Sequence, residues 1–183
     1  MTATLLKSDE YIATGDTRPR WTQLVNGEVI VNNPTIRHQK IVSRIHFQLM
    51  LWMEAELGRG QSPGQIDVKI DDDNVFSPDV LWISEGRLPG DGTHFSEAPD
   101  LVVEVRSPST WRYDTTVKFR KYESIGVGEV WLVDTAAETV LVFRRSKPTE
   151  PDFDVALELG IDEILISPLL VDFALHIHNL FDR

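Results

Sequence analysis

Asp79, Glu104 and Lys118 are the side chains of this chain whose types and placement could do chemistry together. Glu104 lies inside the apolar run Leu101-Val102-Val103-Glu104-Val105, and Asp79 follows Pro78 in the segment Val75 to Ile83. An acid in an apolar run costs desolvation free energy unless it is paired or ligating, so such placement points to a functional role. Two carboxylates suit a hard divalent cation, and a lysine beside them suits a developing negative charge. Hydrolysis of a phosphodiester needs that combination: a cation that polarises the phosphate and lowers the pKa of a water, carboxylates that hold it, and a positive group that orients the water or stabilises the transition state.

The elements that must position these residues are legible from periodicity. Leu101 to Arg106 reads as a buried strand, with Leu101, Val103 and Val105 on one face and Val102, Glu104 and Arg106 on the other. Ser107-Pro108-Ser109 breaks it. A helix follows to Ile125, ended by Gly126, and Asp114, Lys118, Tyr122 and Ile125 share one of its faces. Val75 to Ile83 reads as a strand interrupted by Pro78, which cannot donate to a ladder and so marks an edge or a bulge. A single loop, Ser84 to Pro99, separates the strands of Asp79 and Glu104, so antiparallel pairing could bring their carboxylates together.

Upstream, Trp21 to Val25 and Glu28 to Val31 flank Asn26-Gly27, a strong hairpin signal. Pro34-Thr35 opens a long helix to about Leu57, with Ile41, Ile45, Leu49 and Trp52 at helical spacing. One turn back along that stripe lies His38, which therefore faces inward. Ile66 to Ile70 alternates as a strand before the polar turn Asp71 to Asn74. Downstream, Glu129 to Val133 is a strand. Thr139 to Arg144 pairs with it or with Phe153 to Leu159, and strand-like pieces followed by a short helix from His178 to Arg183 close the chain.

Composition bounds the class. The 183 residues suit one domain spanning 1–183, and the 42% hydrophobic content is ordinary for a globular protein. With no cysteine, disulfides and thiolate metal sites are excluded. That suits a cytoplasmic location, as does a start, MTATLLKSDEYIATG, without the basic and apolar regions of a signal peptide. No window approaches the length of a membrane-spanning helix. The net charge of −11 argues against a protein that coats nucleic acid. An acidic site that becomes electropositive on cation binding escapes that argument.

The residues also carry a resemblance. Ser77-Pro78-Asp79, then Pro99 to Val105, then Ser107-Pro108-Ser109, followed by Asp114, Lys118, Tyr122, Gly126-Val127, Glu129 and Trp131 to Asp134, resembles the Uma2 family of the PD-(D/E)XK nuclease superfamily. Asn26-Gly27-Glu28 with His38, and Ser167-Pro168 with Leu180-Phe181, extend the likeness over nearly the whole chain. The resemblance implies a restriction-endonuclease-like α/β (α+β) fold: a mixed sheet flanked by helices, with an extra N-terminal hairpin and C-terminal strands. It implies a Mg²⁺-dependent (or Mn²⁺-dependent) endonuclease acting on nucleic acid, with DNA the expected substrate, and a homodimer. Asp79, Glu104 and the backbone carbonyl of Val105 would hold the metal. Arg106 stands where the superfamily motif has lysine; arginine suits phosphate contact better than water activation, so Lys118 takes the lysine's role. Glu28, His38, Arg106 and Tyr122 would line the site, and Arg112 and Arg120 would contact phosphate. Where many members carry an acid in the hairpin, this chain has Gln23.

Purely structural roles compete with each of these. Asp79 could cap amides at a turn. Glu104 could form an ion pair with Arg106 or Lys118, and Lys118 could pair with Asp114 one turn away. His38 and Tyr122 could be core residues, and Glu28 simply exposed. The rival reading for the whole chain is a catalytically inactive nuclease-fold module that binds nucleic acid or protein.

Overall fold

The computed structural model describes residues 5–87 and 92–181, which leaves the first four residues, part of the loop before Pro99 and the last two residues outside it. A short helix α1 (Ser8–Ala13) precedes the hairpin of β1 (Thr22–Val25) and β2 (Glu28–Val31). Asn26 and Gly27 take φ of 51° and 79°, the left-handed pair that a tight two-residue hairpin demands. The long helix α2 (Ile36–Glu54) follows, and the Thr35 side chain caps it by accepting from the His38 N–H.

The expected strand Val75 to Ile83 is two strands in two sheets. β3 (Asp67–Asp71) and β4 (Asn74–Phe76) join the hairpin and the short β6 (His94–Phe95) in the order β2-β1-β4-β3-β6. Beyond Ser77-Pro78-Asp79, β5 (Val80–Trp82) belongs to a second sheet, with β7 (Leu101–Val105), β8 (Glu129–Asp134), β9 (Thr139–Arg144) and β10 (Val155–Leu159), in the order β10-β9-β8-β7-β5. Pro78 thus marks a sheet-to-sheet transfer, and β5 is an edge strand. The segment 84–99, read as a plain loop, contributes β6.

The second sheet is mixed. β7 and β8 run parallel; the other neighbours are antiparallel. A parallel pair needs a crossover, and the helical segment 111–125 supplies it. Within that segment α3 (Trp111–Tyr113) and α4 (Phe119–Ile125) flank a π-helical stretch, Asp114–Lys118. β9 pairs with both β8 and β10, so the two pairings expected for it are both made. The hairpin of β11 (Ile164–Ser167) and β12 (Leu170–His176) follows, and then a 3₁₀ turn, Ile177–Asn179, at the start of the helix expected from His178 to Arg183, whose last two residues lie outside the described residues.

Alternation along β7 divides the core. Leu101, Val103 and Val105 pack with Ile41, Ile45, Leu49 and Trp52 of α2 and with the C-terminal hairpin. Val102 packs on the other face with Tyr122, Val130 and Leu132, toward α4 and the N-terminal sheet. Glu104 points to that second side, into the layer between the two sheets. No helix among the described residues is long and apolar enough to cross a membrane.

Candidate active site

Glu104 is 2% exposed, and its Oε1 is the focus of the buried polar cluster. Lys118 Nζ lies 2.6 Å from it, and the Tyr122 hydroxyl donates to it at 2.6 Å. Lys118 also pairs with Asp114 Oδ1 at 3.0 Å, while Thr110 Oγ1 donates to Asp114 Oδ2 at 3.1 Å. The spacing of Asp114, Lys118 and Tyr122 puts all three on the buried face of the 111–125 segment. The π-helical stretch runs from Asp114 to Lys118, the kind of irregularity that often accompanies functional sites.

Asp79 comes from the sheet-to-sheet transfer. β5 pairs with β7 through Val80↔Val103, so Asp79, the residue before β5, comes beside Glu104, the residue after Val103, close enough for its charge to act on that carboxyl. Asp79 Oδ2 accepts the Val105 N–H at 2.8 Å and His38 Nε2 at 3.1 Å. His38 is buried, as the helix periodicity implied, and its Nδ1 has no hydrogen-bond partner.

Electrostatics follow from burial. Desolvation pushes the Glu104 carboxyl up to about 8; Lys118 restrains the shift, and the charges of Asp114 and Asp79 add to it. Burial likewise raises Asp114. For Lys118 burial opposes the charge, but the carboxylates of Asp114 and Glu104 outweigh it and hold the ammonium above its ordinary pKa. Lys118 is therefore a fixed cation at neutral pH and not a proton acceptor. Tyr122 is raised well above its ordinary value by burial and by Glu104, so it donates as a neutral phenol.

Other expected residues fall elsewhere. Arg106 donates to both Asp134 oxygens, at 2.8 and 2.9 Å, and lies over the Trp111 ring. The parallel register explains this: Val105 pairs with Val133, so the next residues, Arg106 and Asp134, are neighbours. Glu28 is exposed beside the hairpin turn, paired across it with Val25, and touches none of these groups. Arg112 and Arg120 are exposed, whereas Asp114, Lys118 and Tyr122 of the same segment are buried, so the arginines face away from the cluster.

Two residues join the site that were not expected in it. Asp114 was legible as Lys118's neighbour at i−4, but its burial was not. Gln23, on β1, lines the same small cavity as Glu104 and Lys118, and its buried Oε1 has no hydrogen-bond partner. The sequence signal for Gln23 was the resemblance, which places an acid at that hairpin position in many members; as an amide it was not carried into the expected site.

The donor set suits a hard cation. Asp79, Glu104, the Val105 carbonyl and the orphaned Gln23 Oε1 all offer oxygen donors, the type such a cation prefers. Among the described residues no three His, Asp or Glu side chains cluster as a ready cage. Mg²⁺ rarely needs one, because it is commonly held by one or two carboxylates, with water and substrate phosphate completing the shell.

The fold and the cluster define a restriction-endonuclease-like α+β protein with an acid–lysine centre between its sheets. The model of the Uma2 family, described as "Putative restriction endonuclease", matches residues 9–177, and the chain belongs to that family. The crystal structure of a "putative nuclease" belonging to DUF820, from Anabaena variabilis, is similar at a TM-score of 0.80 and 21% identity, with 96% of this chain and 97% of that one covered. At that identity the likeness establishes a shared fold. No curated protein gives a significant match.

Proposed function

We propose that this protein is a metal-dependent nuclease that hydrolyses phosphodiester bonds, with DNA as substrate. The observation that carries the reading is the meeting of Lys118 with Glu104 at 2.6 Å beside Asp79. A helix thereby delivers the positive charge that the strand position, Arg106, sends elsewhere. Asp79 and Glu104 would hold Mg²⁺ or Mn²⁺, with the Val105 carbonyl and Gln23 Oε1 as further oxygen donors. When bound, the cation would polarise the scissile phosphate and acidify a water. Lys118, kept protonated by two acids, orients that water by donation and stabilises charge on the phosphoryl oxygens. Tyr122 and Asp114 hold Glu104 and Lys118 in place, and His38 and the Val105 N–H hold Asp79. The absence of cysteine is compatible with work in the cytoplasm.

The test is cleavage of supercoiled plasmid and of single-stranded DNA with Mg²⁺, with Mn²⁺ and with EDTA. Cleavage is expected with metal and lost in EDTA, in Asp79→Ala and in Glu104→Ala. Activity that persists in both variants would belong to another protein in the preparation. The rival, an inactive nuclease-fold binding module, has one observation in its favour: Lys118 Nζ already stands 2.6 Å from Glu104 Oε1, where a cation would sit. It requires nucleic acid binding without cleavage under every metal condition.

The homodimer would form through the outer face of α2. Ile36, Phe47, Met50 and Leu51 are exposed there, at 38% to 80%. Two such faces packed antiparallel about Phe47 set Ser43 against Leu51 and Lys40 against Glu54 (in each case the two numbers sum to twice 47). Small meets large and positive meets negative, the self-complementarity that a two-fold dimer interface requires.

A further inference from the structure

A wide cleft lies beside the Glu104–Lys118 centre. Its cavity measures about 780 Å³, and Arg18, Arg20, Trp21, Gln65 and Thr93 are among its lining residues. A much smaller cavity of about 10 Å³ reaches Glu104, Lys118 and Gln23, which is roughly the room one water needs. Trp21, Thr22, Gln65 and Ser77 line both. The cleft therefore adjoins the buried acid through a shared wall.

Three side chains lining the cleft, Trp21, Arg18 and Arg20, are not used up by packing or pairing. Trp21 is 44% exposed, although Trp52, Trp82 and Trp131 are buried in the core. Its φ is 62°, a left-handed conformation that a bulky side chain strongly avoids. The Asn32 N–H donates to the Trp21 carbonyl at 2.7 Å and pins that backbone. Strain of this kind persists where the surrounding structure over-determines it, commonly at ligand clamps. Here it presents an indole ring to the cleft instead of packing it. Arg18 pairs with Asp67, but its Nη1 is buried without a hydrogen-bond partner. Arg20 is exposed and makes no ion pair among the described residues.

We propose that this cleft binds unpaired nucleotides, with a base stacked on Trp21 and phosphates beside Arg18 and Arg20, so that the strand runs toward Glu104 and Lys118. The proposal rests on the nuclease reading for the meaning of the inner end. The choice of unpaired over duplex substrate follows from geometry. A base in a duplex has both faces covered, and only a splayed one offers its π-face to an aromatic ring. The cleft has the volume of a small-ligand site, room for roughly one or two nucleotides, and it narrows toward the acid. With a net charge of −11 the protein offers little long-range attraction, so stacking must contribute more than counterion release. Two phosphate contacts predict a salt slope of only about −1.4 in log K against log salt.

The experiment uses full-length Glu104→Gln protein in EDTA, so that binding is read apart from cleavage. Fluorescence anisotropy is measured with labelled oligo-dT, oligo-U and a DNA duplex, each of about 12 nucleotides, a typical single-strand site length. Single strands are expected to bind more tightly than duplex, and the stronger of the two single strands identifies the sugar. Adding Trp21→Ala should weaken that binding roughly tenfold, the loss of one stacked base. Trp21→Gly should weaken it equally while melting at or above the temperature of the parent protein, because glycine relieves the φ strain. Duplex binding as tight as single-strand binding, no measurable binding, or single-strand binding indifferent to both Trp21 substitutions would each overturn the proposal. Wild-type plasmid cleavage is scored separately: its absence alongside Trp21-dependent binding overturns the nuclease reading and leaves the cleft standing.

Discussion

Replacing Lys118 with methionine probes the centre most directly. Lys118 is 2% exposed and is the cation shared by Glu104, at 2.6 Å, and Asp114, at 3.0 Å. Methionine fills much of the same volume but leaves two buried acids facing each other with Asp79 nearby. Breaking a buried pair in this way costs about 3–5 kcal/mol. For a chain of this length each kcal/mol moves Tm by about 2–4 °C, so Tm should fall by roughly 6–20 °C. The deficit should depend on pH. Lys118 lowers the carboxyl pKa of both acids, so its loss raises them further. A carboxyl raised in the folded state contributes stability below its unfolded pKa and loses it as pH rises through the folded value. The variant should therefore be closest to wild type near pH 5 and furthest from it above pH 8. Adding Glu104→Gln removes one of the stranded charges and keeps an acceptor for Tyr122, and it should recover much of the loss. Thermal unfolding by circular dichroism at both pH values, in EDTA, completes the double-mutant cycle. A loss below about 1 kcal/mol at both pH values, the size of an exposed ion pair, would falsify the shared-cation picture, as would a double variant no more stable than the single one.

The metal-free wild type should itself lose stability between about pH 5 and pH 8, because Glu104 titrates near 8 when folded and near 4.5 when unfolded; Glu104→Gln should flatten that profile. Arg106→Met removes a partly exposed pair with Asp134, so it should cost about 1 kcal/mol and leave metal-dependent cleavage within a few-fold of wild type. A large drop in cleavage would return the lysine's role to position 106. Phe47→Glu places like charges at the centre of the antiparallel α2 pairing and should yield monomers in light scattering; an unchanged dimer would place the interface elsewhere.

Local rules carried a good part of this site into the sequence. Strand alternation put Glu104 on the face opposite Leu101, Val103 and Val105. Helical spacing put Asp114, Lys118 and Tyr122 together and turned His38 inward. Asn-Gly marked the hairpin, and β5–β7 pairing was foreseeable from the single connecting loop. These follow from period, turn chemistry and connection length, each a property of a few adjacent residues.

Tertiary structure alone decided the rest, because partner choice depends on groups far apart in sequence. Alternation puts Arg106 on the Glu104 side of β7, but only the parallel β7–β8 register shows that Asp134 takes it. Whether Pro78 marked a bulge or a crossing between sheets depended on which strands β4 and β5 met. The Val105 N–H and His38 that hold Asp79 lie 26 and 41 positions from it. Gln23 and Trp21 reach the acid's surroundings only because β1 packs beside β4, above the second sheet. The sequence thus determined which residues could do chemistry; the pairing of its two sheets decided which of them meet, since a strand's neighbours are not encoded within the strand.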